Sequence, residues 1–76
     1  MISIFKTSIG SAQELSRIAP ILNSVSMGPW TVDLHDCDKI LRVDSGTDQN
    51  EEIVSVLTGE GFLCVNLATF YTEPQF

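Results

Sequence analysis

The sequence is poor in cysteine, histidine and basic residues, and these shortages narrow the kinds of protein it can encode. Its 76 residues include two cysteines, one histidine, and four Lys or Arg against ten Asp or Glu. Two cysteines are too few for a scaffold held together by disulfides. A formal net charge of −6 argues against nucleic acids and anionic membranes as partners. We therefore expect neither kind of partner.

Long apolar runs are also missing. No stretch approaches the roughly 20 apolar residues of a membrane-spanning helix. The first residues, MISIFKTSIGS, alternate between apolar and polar instead of forming the basic and then apolar blocks of a signal peptide. These features predict a cytoplasmic protein. The length and the apolar fraction of 43% predict one small folded domain.

Hydrophobic periodicity predicts four strands and two helices. The first helix begins at Ser11, where S-A-Q-E forms a capping box that pairs the Ser11 hydroxyl with Glu14. Pro20 predicts a kink or a break in this helix. The second helix begins at Asp48, which precedes an acidic first turn. Alternating apolar and polar residues predict strands at 2–9 and 30–35, and we expect two further strands at 39–44 and 62–67.

This order of elements favours an α+β fold, the ferredoxin-like βαββαβ two-layer sandwich, with an antiparallel sheet in the order 4-1-3-2. We expect the domain to span residues 1–67 and a C-terminal tail to span 68–76. The predicted core is small, so the domain would gain stability from a partner.

The open face of the predicted sheet is apolar, whereas antiparallel sheets usually present a polar face to water. With Leu63, Val65 and Leu67 assigned to the core, the open face carries Ile2, Ile4, Ile40, Phe62 and Cys64. Such a strip predicts an interface, either with a second copy of the chain or with its own tail. Three aromatic side chains of that tail could cover it: Phe70, Tyr71 and Phe76.

The element order and lengths resemble the heavy-metal-associated domain of copper chaperones and metal-transporting ATPases. The resemblance covers residues 2–67. It rests on the strand that ends at Ile9, the helix from Ser11, the turn at Cys37 and the Gly61-Phe62 step into the last strand. It implies the fold of that family.

The copper loop of the family has no counterpart here. Its Met-x-Cys-x-x-Cys motif holds Cu(I) between two thiolates. By the resemblance, Ile9 takes the Met position, and Ser11 and Glu14 take the two Cys positions. Neither is a soft ligand, so the resemblance implies a domain without the usual metal site, and we expect no cofactor.

The segment His35-Asp36-Cys37-Asp38 is the densest polar cluster. It supports an alternative prediction, a divergent metal site formed by Cys37 with His35 or Asp38. Neighbouring side chains on a strand point apart, so the same residues also suit a solvated turn. Cys64 lies across the sheet from Cys37, and we expect no disulfide between them.

Catalysis has little support, because the single histidine has no Ser or Cys partner that the fold would bring to it.

We expect a non-enzymatic binding or protein-interaction module that uses the open sheet face and one loop end. A further alternative is a small-molecule sensor of the ACT type, which shares the topology and holds its ligand between subunits. The predicted loop end comprises Gly10, Ser11, Glu14, Cys37 and Glu60.

Overall fold

The computed structural model describes residues 1–26 and 28–70. Within that part of the chain, four strands and two helices follow one another in the expected order. The strands form one antiparallel sheet in the order β2-β3-β1-β4, which is the order 4-1-3-2 read from the other edge. The protein is therefore an α+β domain. Its elements are β1 Ile2–Thr7, α1 Ala12–Val25, β2 Trp30–Val32, β3 Leu41–Asp44, α2 Asn50–Gly59 and β4 Cys64–Phe70.

The core lies between one face of the sheet and the two helices. In the central strands, Phe5 pairs with Leu41 and Ser3 pairs with Val43, and all four side chains are buried. Because side chains alternate along a strand, the residues that flank these four in sequence lie on the opposite face of the sheet, which neither α1 nor α2 covers and which we call the open face. The helices add four buried side chains to the same cluster: Ile18, Leu22, Ile53 and Leu57.

The start of α1 is held by reciprocal side-chain hydrogen bonds. The Ser11 hydroxyl accepts from the Glu14 amide at 3.2 Å, as the capping box predicts. The Glu14 carboxylate, however, accepts from the amide of Gly10 at 2.9 Å and not from that of Ser11. The cap thus extends one residue further back than predicted.

Of the two outcomes predicted for Pro20, a kink or a break, the break is wrong. Helix α1 runs without a break from Ala12 to Val25 with Pro20 inside it. Ile18 and Leu22 lie on either side of the proline, and both are fully buried. The burial of these two side chains offsets the loss of one backbone hydrogen bond, so the helix continues.

Helix α2 begins one residue later than Asp48 would place it. Its N-cap is Gln49, which makes no side-chain cap bond. The Gln49 side chain is buried and donates instead to the carbonyl of Val25 at 2.7 Å. The Asp48 carboxylate accepts from the Asn50 amide at 3.0 Å, which makes it a turn residue. This arrangement ties the start of α2 to the end of α1.

A Schellman motif ends α2 and turns the chain into β4. The Phe62 amide donates to the Leu57 carbonyl at 3.0 Å, and the Gly61 amide donates to the Thr58 carbonyl at 3.0 Å. Gly61 adopts the left-handed conformation that the motif requires (φ 89°). The residue that follows this glycine normally packs against the last turn of the helix. Phe62 is accordingly buried.

The predicted facing of the last strand is therefore wrong. Phe62 and Cys64, expected on the open face, are only 5% and 6% exposed. The three residues expected in the core are exposed instead: Leu63 at 50%, Val65 at 45% and Leu67 at 52%. Because side chains alternate along a strand, burying Phe62 also buries Cys64 and turns Leu63 and Val65 outward.

The last strand is longer than predicted. It runs to Phe70, three residues into the segment expected to be a tail. Its pairing with β1 shifts between Ile4 and Phe5, so that Leu67 forms a bulge between Asn66 and Ala68. Tyr71 and Phe76, the other two aromatic residues proposed to cover the sheet, lie outside the described residues.

The strands β2 and β3 are shorter than predicted, because residues 33–40 form turns. The Asp33 carboxylate accepts from the His35 amide at 3.0 Å, and the Asp36 carboxylate accepts from the Asp38 amide at 2.8 Å. Such local bonds compete with strand pairing. One backbone bond still joins the two segments, from the Asp33 amide to the Ile40 carbonyl at 2.9 Å.

Replacing Gly61 tests whether the end of α2 depends on a glycine in the left-handed conformation. We expect Gly61→Ala to lower the free energy of unfolding by about 1–2 kcal/mol, the cost of a side chain in the left-handed region. Steric contact adds nothing, since a Cβ at Gly61 would meet no atom within 4 Å. Gly59→Ala is the matched control, because its Cβ would also meet open space but in helical backbone. Urea denaturation measures both, and equal losses would contradict the role given to Gly61.

Candidate functional site

The turn before β3 holds a compact group of side chains that could bind a metal ion. One ligand atom each from Asp36, Cys37 and Asp38 lies within 4.8 Å of the others. Cys37 is exposed and the two aspartates are partly buried. His35, the fourth member of the predicted cluster, is not part of this group.

The same carboxylates already serve the turn itself. The Asp36 carboxylate accepts from the Asp38 amide, and Asp38 Oδ1 lies 3.6 Å from Lys6 Nζ. The Lys39 amide closes the turn on the Asp36 carbonyl at 3.1 Å. The Thr7 hydroxyl then donates to the Lys39 carbonyl at 2.5 Å, which joins the turn to β1. A structural role is thus sufficient to explain both acidic residues.

The two thiols differ sharply in their surroundings. Both cysteines are free, with Cys37 exposed and Cys64 buried. Burial disfavours the thiolate and raises the pKa of Cys64 to about 11. A thiol with so high a pKa is a poor nucleophile and a poor metal ligand at neutral pH.

The predicted loop end is occupied by structural contacts. Gly10, Ser11 and Glu14 are all engaged in capping α1. Glu60 takes part through its backbone: its carbonyl accepts a hydrogen bond from Arg17 Nη2 at 3.0 Å. The Arg17 guanidinium also lies 4.9 Å from the centre of the Phe62 ring. Arg17 therefore acts as a basic cap for α2 from the neighbouring helix.

The open face carries an apolar strip along its β4 side. Val65 pairs with Lys6, Ala68 with Ile4, and Phe70 with Ile2. Alternation places Leu63 on the same face, beyond Val65. Phe70 is the most exposed of these side chains, at 57%. We call this set the apolar strip: Ile2, Ile4, Leu63, Val65, Ala68 and Phe70.

The strip differs in part from the predicted interface. Ile2 and Ile4 lie on the open face, and Ile40 is partly buried at the position before β3, whereas Phe62 and Cys64 are in the core. The exposed residues that sequence reasoning missed are Leu63, Val65 and Phe70. The signal that could have found them is the glycine before Phe62, which marks a helix end whose next residue packs inward.

The charge on the open face contrasts with that of the whole chain. Lys6 and Arg42 are two of the four basic residues, and both project from this face beside the strip. Asp44 lies opposite Ile2 on the neighbouring strand. Asp38 pairs with Lys6, so two cations and two carboxylates balance here, whereas the whole chain has a net charge of −6.

Within the described residues, neither α1 nor α2 is long and apolar enough to cross a bilayer.

Comparison of the chain with models of known protein families, with curated proteins and with solved structures finds no significant match. The resemblance to the heavy-metal-associated domain thus stays a prediction.

Thiol titration tests the assignment of the two cysteines. In the native protein we expect one fast reaction with an aromatic disulfide reagent, at Cys37, and a second only after unfolding. Cys37→Ser should remove the fast reaction. A native Cys37→Ser protein that still reacts quickly would contradict the burial of Cys64.

The raised pKa of Cys64 also predicts a pH dependence of stability. The thiol ionises near pH 9.0 in the unfolded chain and near pH 11 in the folded one. Between these values the folded state binds more protons, so its stability falls as pH rises. Below pH 9 the contribution is constant. Urea denaturation across this range should show a steeper loss for the wild type than for Cys64→Ala.

Proposed function

We propose that this protein is a non-enzymatic protein-interaction module. Its architecture is that of a ferredoxin-like sandwich, similar to the heavy-metal-associated domain but without the usual metal loop. The partner contacts the apolar strip. The observation that carries the proposal is the exposure of Leu63, Val65 and Phe70, each between 45% and 57% exposed on one strand.

The energetics favour a partner on the strip. Full burial of a large apolar side chain contributes about 1.5–3 kcal/mol, so completing the burial of a half-exposed one contributes roughly half of that. Three such side chains with Ile2 and Ile4 beside them form the apolar centre that stable interfaces usually have. The charged residues at the edge of the strip, Lys6 and Arg42, then form a polar rim.

The interaction proposal also fits the chemistry of the cysteines. Cys37 is an exposed free thiol, which persists in the reducing conditions of the cytoplasm. We therefore include a cytoplasmic location in the proposal. Catalysis is not proposed, because Cys64 is buried with a raised pKa and the polar residues at the loop end are engaged in capping.

A pair of double variants tests the strip. Leu63→Ser with Phe70→Ser removes its most exposed side chains, and neither position is in the core, so the fold should persist. Leu63→Met with Phe70→Leu is the matched control that keeps the strip apolar. We expect cross-linked partners from the native host to be recovered with the wild type and the control, and to fall about tenfold or more with the serine variant.

Two further measurements make this test decisive. Circular dichroism must show the serine variant folded, and sedimentation velocity of the purified wild type reports whether the partner is a second copy. Equal recovery of partners by a folded serine variant would contradict the proposal. An ACT-like sensor is the alternative that requires a dimer, with a small ligand between the subunits.

Metal binding is the second candidate function. The observation that favours it is the group of Asp36, Cys37 and Asp38 ligand atoms within 4.8 Å of one another. It ranks lower because the two aspartates already stabilise the turn. We expect that any zinc affinity measured by calorimetry on the reduced protein is abolished by Cys37→Ser and kept by His35→Ala. Affinity that survives Cys37→Ser would exclude this site.

A further inference from the structure

Strand β4 has a free edge in the part of the chain that the structure describes. In the sheet order this strand lies at one end and pairs with β1 alone among the described strands. Its seven residues, CVNLATF, include no charge and no proline. Natural edge strands usually carry such residues to block pairing with another chain. Within residues 1–26 and 28–70, the protective feature of this edge is the bulge at Leu67.

Helix α2 runs beside β4 and leaves a groove of about 740 Å³ between them. Ser55 and Gly59 on the helix and Asn66 on the strand line this groove, and Val54 adds an apolar surface. The small helix residues leave the space: a Cβ at Gly59 would meet no atom within 4 Å. A strand edge beside a helix is the geometry that binds extended peptides by β-strand addition.

Polar groups at one end of the groove are incompletely satisfied. Asn50 Nδ2 donates to Thr69 Oγ1 at 2.9 Å, but Asn50 Oδ1 is buried and has no donor among the described residues. Asn50 lines the groove. A buried acceptor without a donor is costly, so the described residues leave this end of the groove incompletely satisfied.

The same end of the groove is acidic. Glu51 lines both the groove and a neighbouring depression of about 520 Å³. Asp48 and Glu52 complete the lining of that depression. A basic side chain in the ligand would therefore meet three carboxylates at this position.

From these observations we infer that β4 and α2 bind an extended segment of a partner protein. The segment adds to the edge of β4 as a further strand, with alternate apolar side chains in the groove and a Lys or Arg at the acidic end. The inference rests on the proposed interaction function, but it uses the edge and helix side of β4 instead of the open face.

The charge at the groove favours a different protein, and not a second copy of the chain, as the partner. The β4 strand of a second copy has no basic residue to meet Glu51 and Glu52. Pairing two β4 edges would also bring two such acidic helix ends into one assembly. A partner with alternating apolar residues and a terminal basic residue satisfies both the groove and its acidic end.

A display library of short random peptides tests the inference. Selection is made on the purified full chain, with counter-selection on Gly59→Leu. The leucine fills the groove, and the fold should persist because position 59 is open and helical. Gly46→Leu is the matched control, since a Cβ there also meets open space and Gly46 does not line the groove.

We expect the enriched peptides to alternate apolar residues and to carry Lys or Arg near one end. They should bind wild type and Gly46→Leu equally, and Gly59→Leu at least about tenfold more weakly. Glu51→Gln should weaken them several-fold at low salt, whereas Asp44→Asn on the open face should not.

Other outcomes overturn the inference. Failure to enrich any peptide that depends on Gly59 removes the groove as a peptide site. A dimeric wild type that becomes monomeric in Gly59→Leu assigns the edge to a second copy. The double variant Leu63→Ser, Phe70→Ser should keep peptide binding even if it loses its other partners. Loss of peptide binding in that folded variant would place the peptide on the open face and overturn the inference.

Discussion

The turn that ends α2 decides which surface this protein presents. Gly61 in the left-handed conformation lets the Phe62 amide reach the Leu57 carbonyl. That bond draws the Phe62 ring into the core, and alternation then determines the direction of Leu63, Cys64 and Val65. The apolar strip on the open face is a consequence of a helix cap.

Arg17 reinforces this turn from the opposite helix. Its guanidinium bonds the Glu60 carbonyl and lies over the Phe62 ring. The last turn of α2 contains no basic residue of its own, so α1 provides the positive charge that a helix C-terminus favours. The two helices and the start of β4 are thereby joined at one point, next to the exposed Leu63.

Local chemistry explains which elements could be predicted from the sequence. The S-A-Q-E box at Ser11 predicts its own hydrogen bonds, and the element order predicts the sheet order. The facing of β4 was not predictable from alternation, because FLCVNL has apolar residues at nearly every position, and either face could have been buried. Only the Schellman motif at the end of α2, which directs the residue after its glycine into the core, decides which face of β4 is buried.

The other failures have the same origin in competing interactions. Pro20 predicts a broken helix, but the burial of Ile18 and Leu22 on both sides outweighs one missing bond. Residues 33–35 and 39–40 are predicted to belong to strands, yet the carboxylates of Asp33 and Asp36 accept hydrogen bonds from backbone amides and stabilise turns there. At the predicted loop end, Gly10, Ser11 and Glu14 take part in the cap of α1.

The two proposed surfaces meet on one strand, and this has an energetic consequence. Strand β4 is held by β1 on one side and by α2 above it, with its outer edge unpaired in the described part of the chain. A ligand on the open face buries Leu63, Val65 and Phe70, and a strand added at the edge supplies the missing backbone pairing. Each ligand would therefore draw its binding free energy from different groups of the same strand, the side chains on the open face or the backbone groups at the edge.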